Sequence, residues 1–323
     1  MRFYSKWITN LVIIVSITVF IWVISYHQYD GNMTYRTADG PSSPDDTSIS
    51  FRVPRRTSPA KNVVFLKVHK VGGSTLMNMF YRYANSKHLN LVVPIDTTGD
   101  HWNYLGFNIT LHTPNIVPLP RGEEYNILCN HVIYDKKAFS KIMPKDSVYL
   151  TILRNPADQF VSAAMYYNFL SALEVATTHT IGKQPIPEIF HEYFLHQDRY
   201  SSLSTYHVRN PMSHDLGLPM SSFDDKAFIQ YFIGNLSLDY NLVMLMEHFT
   251  ESVILMRRYL SWSVEDVIFI PLNVNHEKKK KDFVLYNDDI DFLSEWNYAD
   301  FELHRHFEQI YMMRVEAEGP SLQ

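Results

Sequence analysis

Cysteine is almost absent from this sequence: Cys129 is the only one in 323 residues, so no disulfide can form within the chain and the core alone must hold the fold. With 46% hydrophobic and 14% aromatic residues, the chain has enough apolar material for one large domain or two. A basic excess is missing as well. Lys and Arg number 29 against 34 Asp and Glu, a net charge of −5. That balance argues against a polyanionic partner such as nucleic acid and makes any anion site a local feature. No internal repeat is evident, and after residue 61 no second linker-like stretch interrupts the chain.

Charge is absent altogether from Trp7 to Tyr26, WITNLVIIVSITVFIWVISY. At ~1.5 Å per helical residue this run covers the ~30 Å of a bilayer core, so an N-terminal transmembrane helix is expected. Tyr26, His27 and Gln28 close it instead of the small residues of a cleavage site, which favours a retained anchor over a signal peptide. Arg2 and Lys6 precede the span and Asp30 follows it. Residues 1–6 are therefore expected in the cytosol and everything after residue 27 in the lumen. Acceptor sequons at Asn32, Asn108 and Asn235 agree with that side of the membrane, although a single cysteine is unusual for a lumenal chain. Residues 27–61 are rich in Ser, Thr, Pro, Asp and Arg and read as a flexible stem, leaving 62–323 as one domain.

Within that domain, short apolar runs rich in β-branched residues predict buried strands at Asn62 to Val68, Tyr125 to Cys129, Ser147 to Leu153 and Asp266 to Ile270. Periodic segments between and after them predict helices at Thr75 to Ala84, Pro156 to Ser171, Asp224 to Ile233, Glu247 to Trp262 and Asp288 to Arg314. Alternation of this kind predicts an α/β fold, a central parallel sheet with helices on both faces. Ligands in such sheets bind beyond the carboxyl ends of the strands.

The first stretch that carries chemistry is FLKVHKVGGSTLMNMF, Phe65 to Phe80. A strand runs into the Gly72-Gly73 turn, and Ser74 is a plausible N-cap for the helix that follows. The start of a helix offers unpaired N–H groups and a positive dipole end, which suit a phosphate. A Walker A loop is excluded, because no Lys-Ser/Thr follows the glycines and the cation, Lys70, comes two residues ahead of Gly72. Lys67 and His69 alternate at the strand end and project to one side. A histidine beside two lysines tends to stay neutral and able to accept a proton. The bland reading is a strand-to-helix turn with solvated lysines and a packed histidine; the combination argues against it.

The second stretch is LTILRNPADQFVSAAMYY. Its strand ends at Arg154, Asn155 can cap and Pro156 suits the first helical position. Arg154 is thus delivered to the ligand edge, where a guanidinium can grip phosphate at two points, and Ser162 eight residues on adds a hydroxyl.

Together these stretches resemble the sulfotransferases that use 3′-phosphoadenosine 5′-phosphosulfate (PAPS). With CNHVIYDK, RNPMSHDLGL and EHFTESVILMRRYLSW they are similar, more closely, to the galactose 3-O-sulfotransferase family, from about residue 62 to the end. The resemblance implies a P-loop-NTPase-like sulfotransferase fold, PAPS as co-substrate without a metal, a galactose-containing glycolipid or glycoprotein as acceptor, and a type II Golgi membrane protein. It also implies that Lys67, Lys70, Val71, Gly72, Gly73, Ser74 and Thr75 hold the 5′-phosphosulfate, and that Arg154 and Ser162 hold the 3′-phosphate. The chain departs from the usual family loop in having Val68 and Val71 for threonines, and it lacks the usual lumenal cysteines.

Sulfuryl transfer asks a protein to deprotonate the attacking hydroxyl, align the reactants and neutralise charge on the leaving phosphate. Lys70 suits the last role and Lys67 can assist the sulfuryl oxygens. His69 and His131 are both candidates for the base, with His69 favoured because it shares the loop with the donor. The lysine run in HEKKKKDF, His276 to Phe283, reads as a solvated loop. Trp102, Tyr104, Trp262 and Trp296 read as core. His304 and His306 point to different helix faces and form no metal pair. A kinase or nucleotidase on the same sheet would need a Walker lysine or an acidic metal-binding pair, and neither is present. Another glycan acceptor, a uronic acid or hexosamine, or a noncatalytic glycan-binding relative, are the competing readings.

Overall fold

A computed structural model describes residues 56–98, 101–106, 109–270 and 285–319. The expected transmembrane span, most of the stem, the sequons at Asn32 and Asn108 and the lysine run after His276 lie outside them. Among the described residues no helix is long and apolar enough to cross a membrane. The described residues cluster as one compact unit. Packing has begun by Ala60, which is buried and donates its N–H to Leu260 O at 2.8 Å.

Among the described residues four parallel strands form the sheet: β1 (Val63–Leu66), β2 (Ile127–Leu128), β3 (Val148–Leu153) and β4 (Leu242–Leu245), in the order β2-β1-β3-β4. Val63 aligns with both Ile127 and Val148, and Leu150 aligns with Leu242. Every residue of β1, β2 and β4 is buried, as expected of parallel strands covered on both faces. The chain passes from β1 to β2 on one side and returns to β3 on the other. That reversal opens a crevice between the carboxyl ends of β1 and β3, the place where such sheets bind ligands.

The helices are α1 (Gly73–Lys87), α2 (Pro156–Tyr166), α3 (Phe169–Ile181), α4 (Ile186–Leu195), α5 (Pro211–Asp215), α6 (Lys226–Asp239), α7 (Phe249–Leu260), α8 (Asn287–Trp296) and α9 (Tyr298–Glu318), with shorter turns between them. The main core surrounds the sheet, and a second cluster built on Phe160, Leu173, Phe190 and Leu293 joins α2, α3, α4 and α8.

Several expectations are corrected. Asp266 to Ile270 is not a strand: Ser263 and Asp266 form a capping box on a helical turn, Val264–Val267, because Asp at the third position satisfies the Ser263 N–H. The fourth strand is Leu242–Leu245, an apolar run adjoining the predicted helix at Glu247. The predicted helix 156–171 breaks at Asn168, which is left-handed at φ 59°, and 288–314 breaks at Asn297, whose side chain is turned to other work. Helix α1 is capped by Gly72, left-handed at φ 83°, rather than by Ser74, since only glycine takes that conformation without cost. Trp262 is core, stacked on Tyr83 at 3.6 Å, and Trp296 packs on the second cluster. Trp102 is instead 44% exposed, and Tyr104 belongs to the site.

Candidate active site

Both sequence stretches arrive at the crevice. After β1 the chain places Lys67 and His69, both buried, and then turns through Lys70, left-handed at φ 62°. A non-glycine residue held there stores strain, which is common where a loop must present a ligand-binding group. Gly73 opens α1, and no side chain caps that helix, so its first N–H groups face outward from the helix end. Both glycines sit close against neighbouring side chains. A Cβ on Gly72 would stand 2.5 Å from Met246 Sδ, and one on Gly73 3.0 Å from Lys67 Cγ. Val71 and Thr75 are buried, and Ser74 is partly so.

Arg154, at the end of β3, donates from Nη1 to the carbonyl oxygen of Lys70 at 3.3 Å. Its side chain is 16% exposed. Burial lowers its pKa, opposed by Asp158 and Glu247. Glu247, just past β4, accepts the N–H of Asn155, whose own side chain caps α2. Ser162 lies two turns along α2 and is partly buried. Lys70 Nζ rests 3.6 Å from the ring centroid of Tyr166, which is 63% exposed.

All four polar atoms of His69 are held. Its N–H and its ring Nδ1 both meet Asp215 Oδ2, at 2.8 and 2.7 Å; Nε2 meets the Tyr104 hydroxyl at 3.2 Å; and its carbonyl accepts from Gln159 Nε2 at 3.3 Å. Because Oδ2 already accepts the backbone N–H, the ring proton resides on Nδ1, and Nε2 accepts the tyrosine O–H. His131 stacks on His69 at 4.0 Å and 13°. Its Nδ1 lies 2.7 Å from the carbonyl oxygen of Lys67, which can only accept, so His131 also carries its proton on Nδ1 and leaves Nε2 bare. Burial holds the His131 pKa well below the ordinary value, and His69 and Lys67 depress it further. His131 is therefore neutral at physiological pH.

Lys67 donates to Asn103 Oδ1 at 2.8 Å, and burial lowers its pKa to about 8. Residues 103–105 reach the site by pairing with His131: its N–H donates to Asn103 O and its carbonyl accepts from Leu105 N, each at 2.9 Å. His207, 5.5 Å from His69, stacks on Tyr167 at 3.7 Å, and burial brings its pKa to about 4. His304 meets Glu247 at 3.5 Å, whereas His306 meets Ser237 Oγ at 2.6 Å, so the two do face apart.

Thus Lys67, His69, Lys70, His131 and Arg154 converge, with the glycine turn beside them. Sequence reasoning missed Asp215, Asn103 and Gln159, and it set Tyr104 aside as core. Asp215 falls inside the quoted RNPMSHDLGL, but a lone acidic residue in a loop carries no pattern.

A parallel α/β sheet with a glycine turn, a helix start and an arginine at its switch point has the arrangement in which such sheets hold anionic ligands. A galactose-3-O-sulfotransferase family model matches residues 3–322, and the chain belongs to that family. It is 27% identical to galactose-3-O-sulfotransferase 2 of Mus musculus over 80% of this chain and 64% of that protein. With galactosylceramide sulfotransferase of Homo sapiens the identity is 28%, over 81% of this chain and 59% of that protein. With galactose-3-O-sulfotransferase 3 of Mus musculus it is 29%, over 82% and 61%. The chain therefore spans less than two thirds of the length of these curated relatives.

Proposed function

We propose that this chain is a sulfotransferase that moves the sulfuryl group of PAPS to a galactose hydroxyl, the 3-hydroxyl, on a glycolipid or glycoprotein glycan. One observation carries the reading: the backbone turn at Lys70 and the Arg154 guanidinium meet at the β1/β3 crevice, beside a helix start without a side-chain cap and two stacked imidazoles. The family match supports it. So do the names of the relatives, which act on galactose or galactosylceramide.

The donor supplies an activated sulfuryl group and leaves as adenosine 3′,5′-bisphosphate. Lys67 and Lys70, the N–H groups of Gly73 and Ser74 and the hydroxyls of Ser74 and Thr75 are the groups suited to its 5′ end. Arg154 and Ser162 are suited to its 3′-phosphate. Lys70 neutralises the charge that appears on the departing phosphate oxygen. One of the stacked imidazoles takes the proton of the galactose hydroxyl at Nε2, an atom that carries no proton in either ring. Residence in the Golgi membrane, anchored by residues 7–26 with the domain in the lumen, extends the same proposal. Asn235, exposed on α6, is open to a glycan there.

The test is transfer from labelled PAPS by the full chain to a panel of galactosides, with Lys70→Ala as comparison. Sulfation at the galactose 3-hydroxyl by wild type, and its loss in Lys70→Ala, is expected. Transfer only to uronic acid or hexosamine acceptors would move the acceptor assignment, and full turnover in Lys70→Ala would defeat the leaving-group role.

A further inference from the structure

We infer that Asp215 is a positioning residue that makes His69, and not His131, the base; the inference rests on the sulfotransferase reading. The two imidazoles are stacked 4.0 Å apart and carry their protons on the same nitrogen, yet their Nδ1 partners differ in kind. His131 donates to a carbonyl, which cannot balance the positive charge of an imidazolium. It lies between Lys67 and His69, where a second cation is disfavoured. His69 donates to a carboxylate. When His69 Nε2 takes the proton of a sugar hydroxyl, the charge that appears on the ring lies against Asp215 Oδ2, and the Nδ1 proton stays where it was. The sugar oxygen then forms its bond to sulfur as the bond from sulfur to the phosphate oxygen breaks, and the electron pair leaves on adenosine 3′,5′-bisphosphate.

The placement of Asp215 is built from outside the site. Asn297, at the break between α8 and α9, accepts the N–H of Asn210 at 2.8 Å and donates to Val208 O at 3.0 Å. Asp300 accepts the N–H groups of Met212 and Ser213 at 3.1 and 2.7 Å. The carbonyl of Asp215 accepts from Tyr134 N at 2.9 Å. A Cβ on Gly217 would stand 2.6 Å from Tyr134 O, so the chain leaving Asp215 is pressed against the Tyr134 backbone. Helix α5 therefore reaches His69 at a fixed position, as a supporting carboxylate must. Tyr104 O–H occupies Nε2 meanwhile, at the atom an acceptor hydroxyl would take.

The experiment compares Asp215→Asn, His69→Ala and the double variant in the full chain. It measures turnover with PAPS and a galactoside, binding of adenosine 3′,5′-bisphosphate by calorimetry, and the ring N–H proton of His69 by NMR. Asp215→Asn is expected to lower kcat roughly 10²-fold, with bisphosphate binding within about threefold of wild type and no further loss in the double variant. The deshielded Nδ1 proton of a carboxylate-bound imidazole should be present in wild type and in His131→Ala, and should move upfield in Asp215→Asn. The inference fails if kcat holds within about threefold, if the two losses multiply, or if bisphosphate binding collapses with kcat. If wild type sulfates no galactoside, the function reading fails separately. The NMR signal then decides alone: its absence, or its persistence in Asp215→Asn, overturns the role of Asp215.

Discussion

Arg154 Nη1 donates to the carbonyl oxygen of Lys70 across 3.3 Å. Two residues 84 positions apart, delivered by the ends of β3 and β1, thereby meet where the strand order reverses. The guanidinium ties the end of β3 to the left-handed turn at Lys70. Arg154→Lys keeps the charge but loses the planar fork. It is expected to weaken adenosine 3′,5′-bisphosphate binding roughly tenfold or more by calorimetry, and equal affinity would remove Arg154 from the anion site.

Lys67 gives a pH dependence with two opposite signs. Burial lowers its pKa from 10.5 to about 8, so between those values the unfolded chain binds more protons and stability rises with pH. The proposed role of Lys67 at the 5′ end of the donor uses its ammonium form, so bisphosphate affinity is expected to fall as pH rises through about 8. Lys67→Met relieves a burden on the order of 3 kcal/mol at neutral pH, less the lost bond to Asn103. The variant should melt higher without ligand and lose the ligand-induced rise in Tm. A variant that melts lower and still binds would contradict both expectations.

Gly72 caps α1 at φ 83°, with its missing Cβ aimed at Met246. Gly72→Ala is expected to cost about 1–3 kcal/mol in urea unfolding, from left-handed strain together with overpacking. Met246→Ala in the same chain should return the packing part and leave the backbone part. A neutral Gly72→Ala would mean that the turn can take another shape.

Asp300 is buried beneath α5, and burial raises its pKa from 3.8 to about 6, against the hydrogen bonds from Ser213 and Met212. The folded state holds that proton longer than the unfolded state does. The contribution of Asp300 to stability therefore falls as pH rises between those values and is flat beyond them. Relative to wild type, Asp300→Asn should gain stability progressively from about pH 4 to pH 6 in urea titrations, by at most roughly 3 kcal/mol. A difference that does not change with pH would show that Asp300 is charged throughout.

Legibility in the sequence followed how local each signal was. Strands β1 and β3 and the glycine turn announce themselves within about ten residues, and Arg154-Asn155-Pro156 marks a strand end and a helix start in three. Strand β4 was hidden because its four apolar residues adjoin a helix of the same character. The helix predicted as one piece from 288 to 314 was divided because Asn297 spends its side chain on Asn210 and Val208, a demand visible only once α5 lies beside it. Asp215 was illegible for the same reason: its partner His69 stands 146 residues away.

By itself the sequence determined the alternation of strand and helix, the loop that follows β1 and the identities of the cations and imidazoles, because these depend on neighbours along the chain. Tertiary structure decided which imidazole has a carboxylate behind it and which has only a carbonyl. That distinction arises from the order in which strands lie side by side and from a strut between α9 and α5, and no periodicity records either.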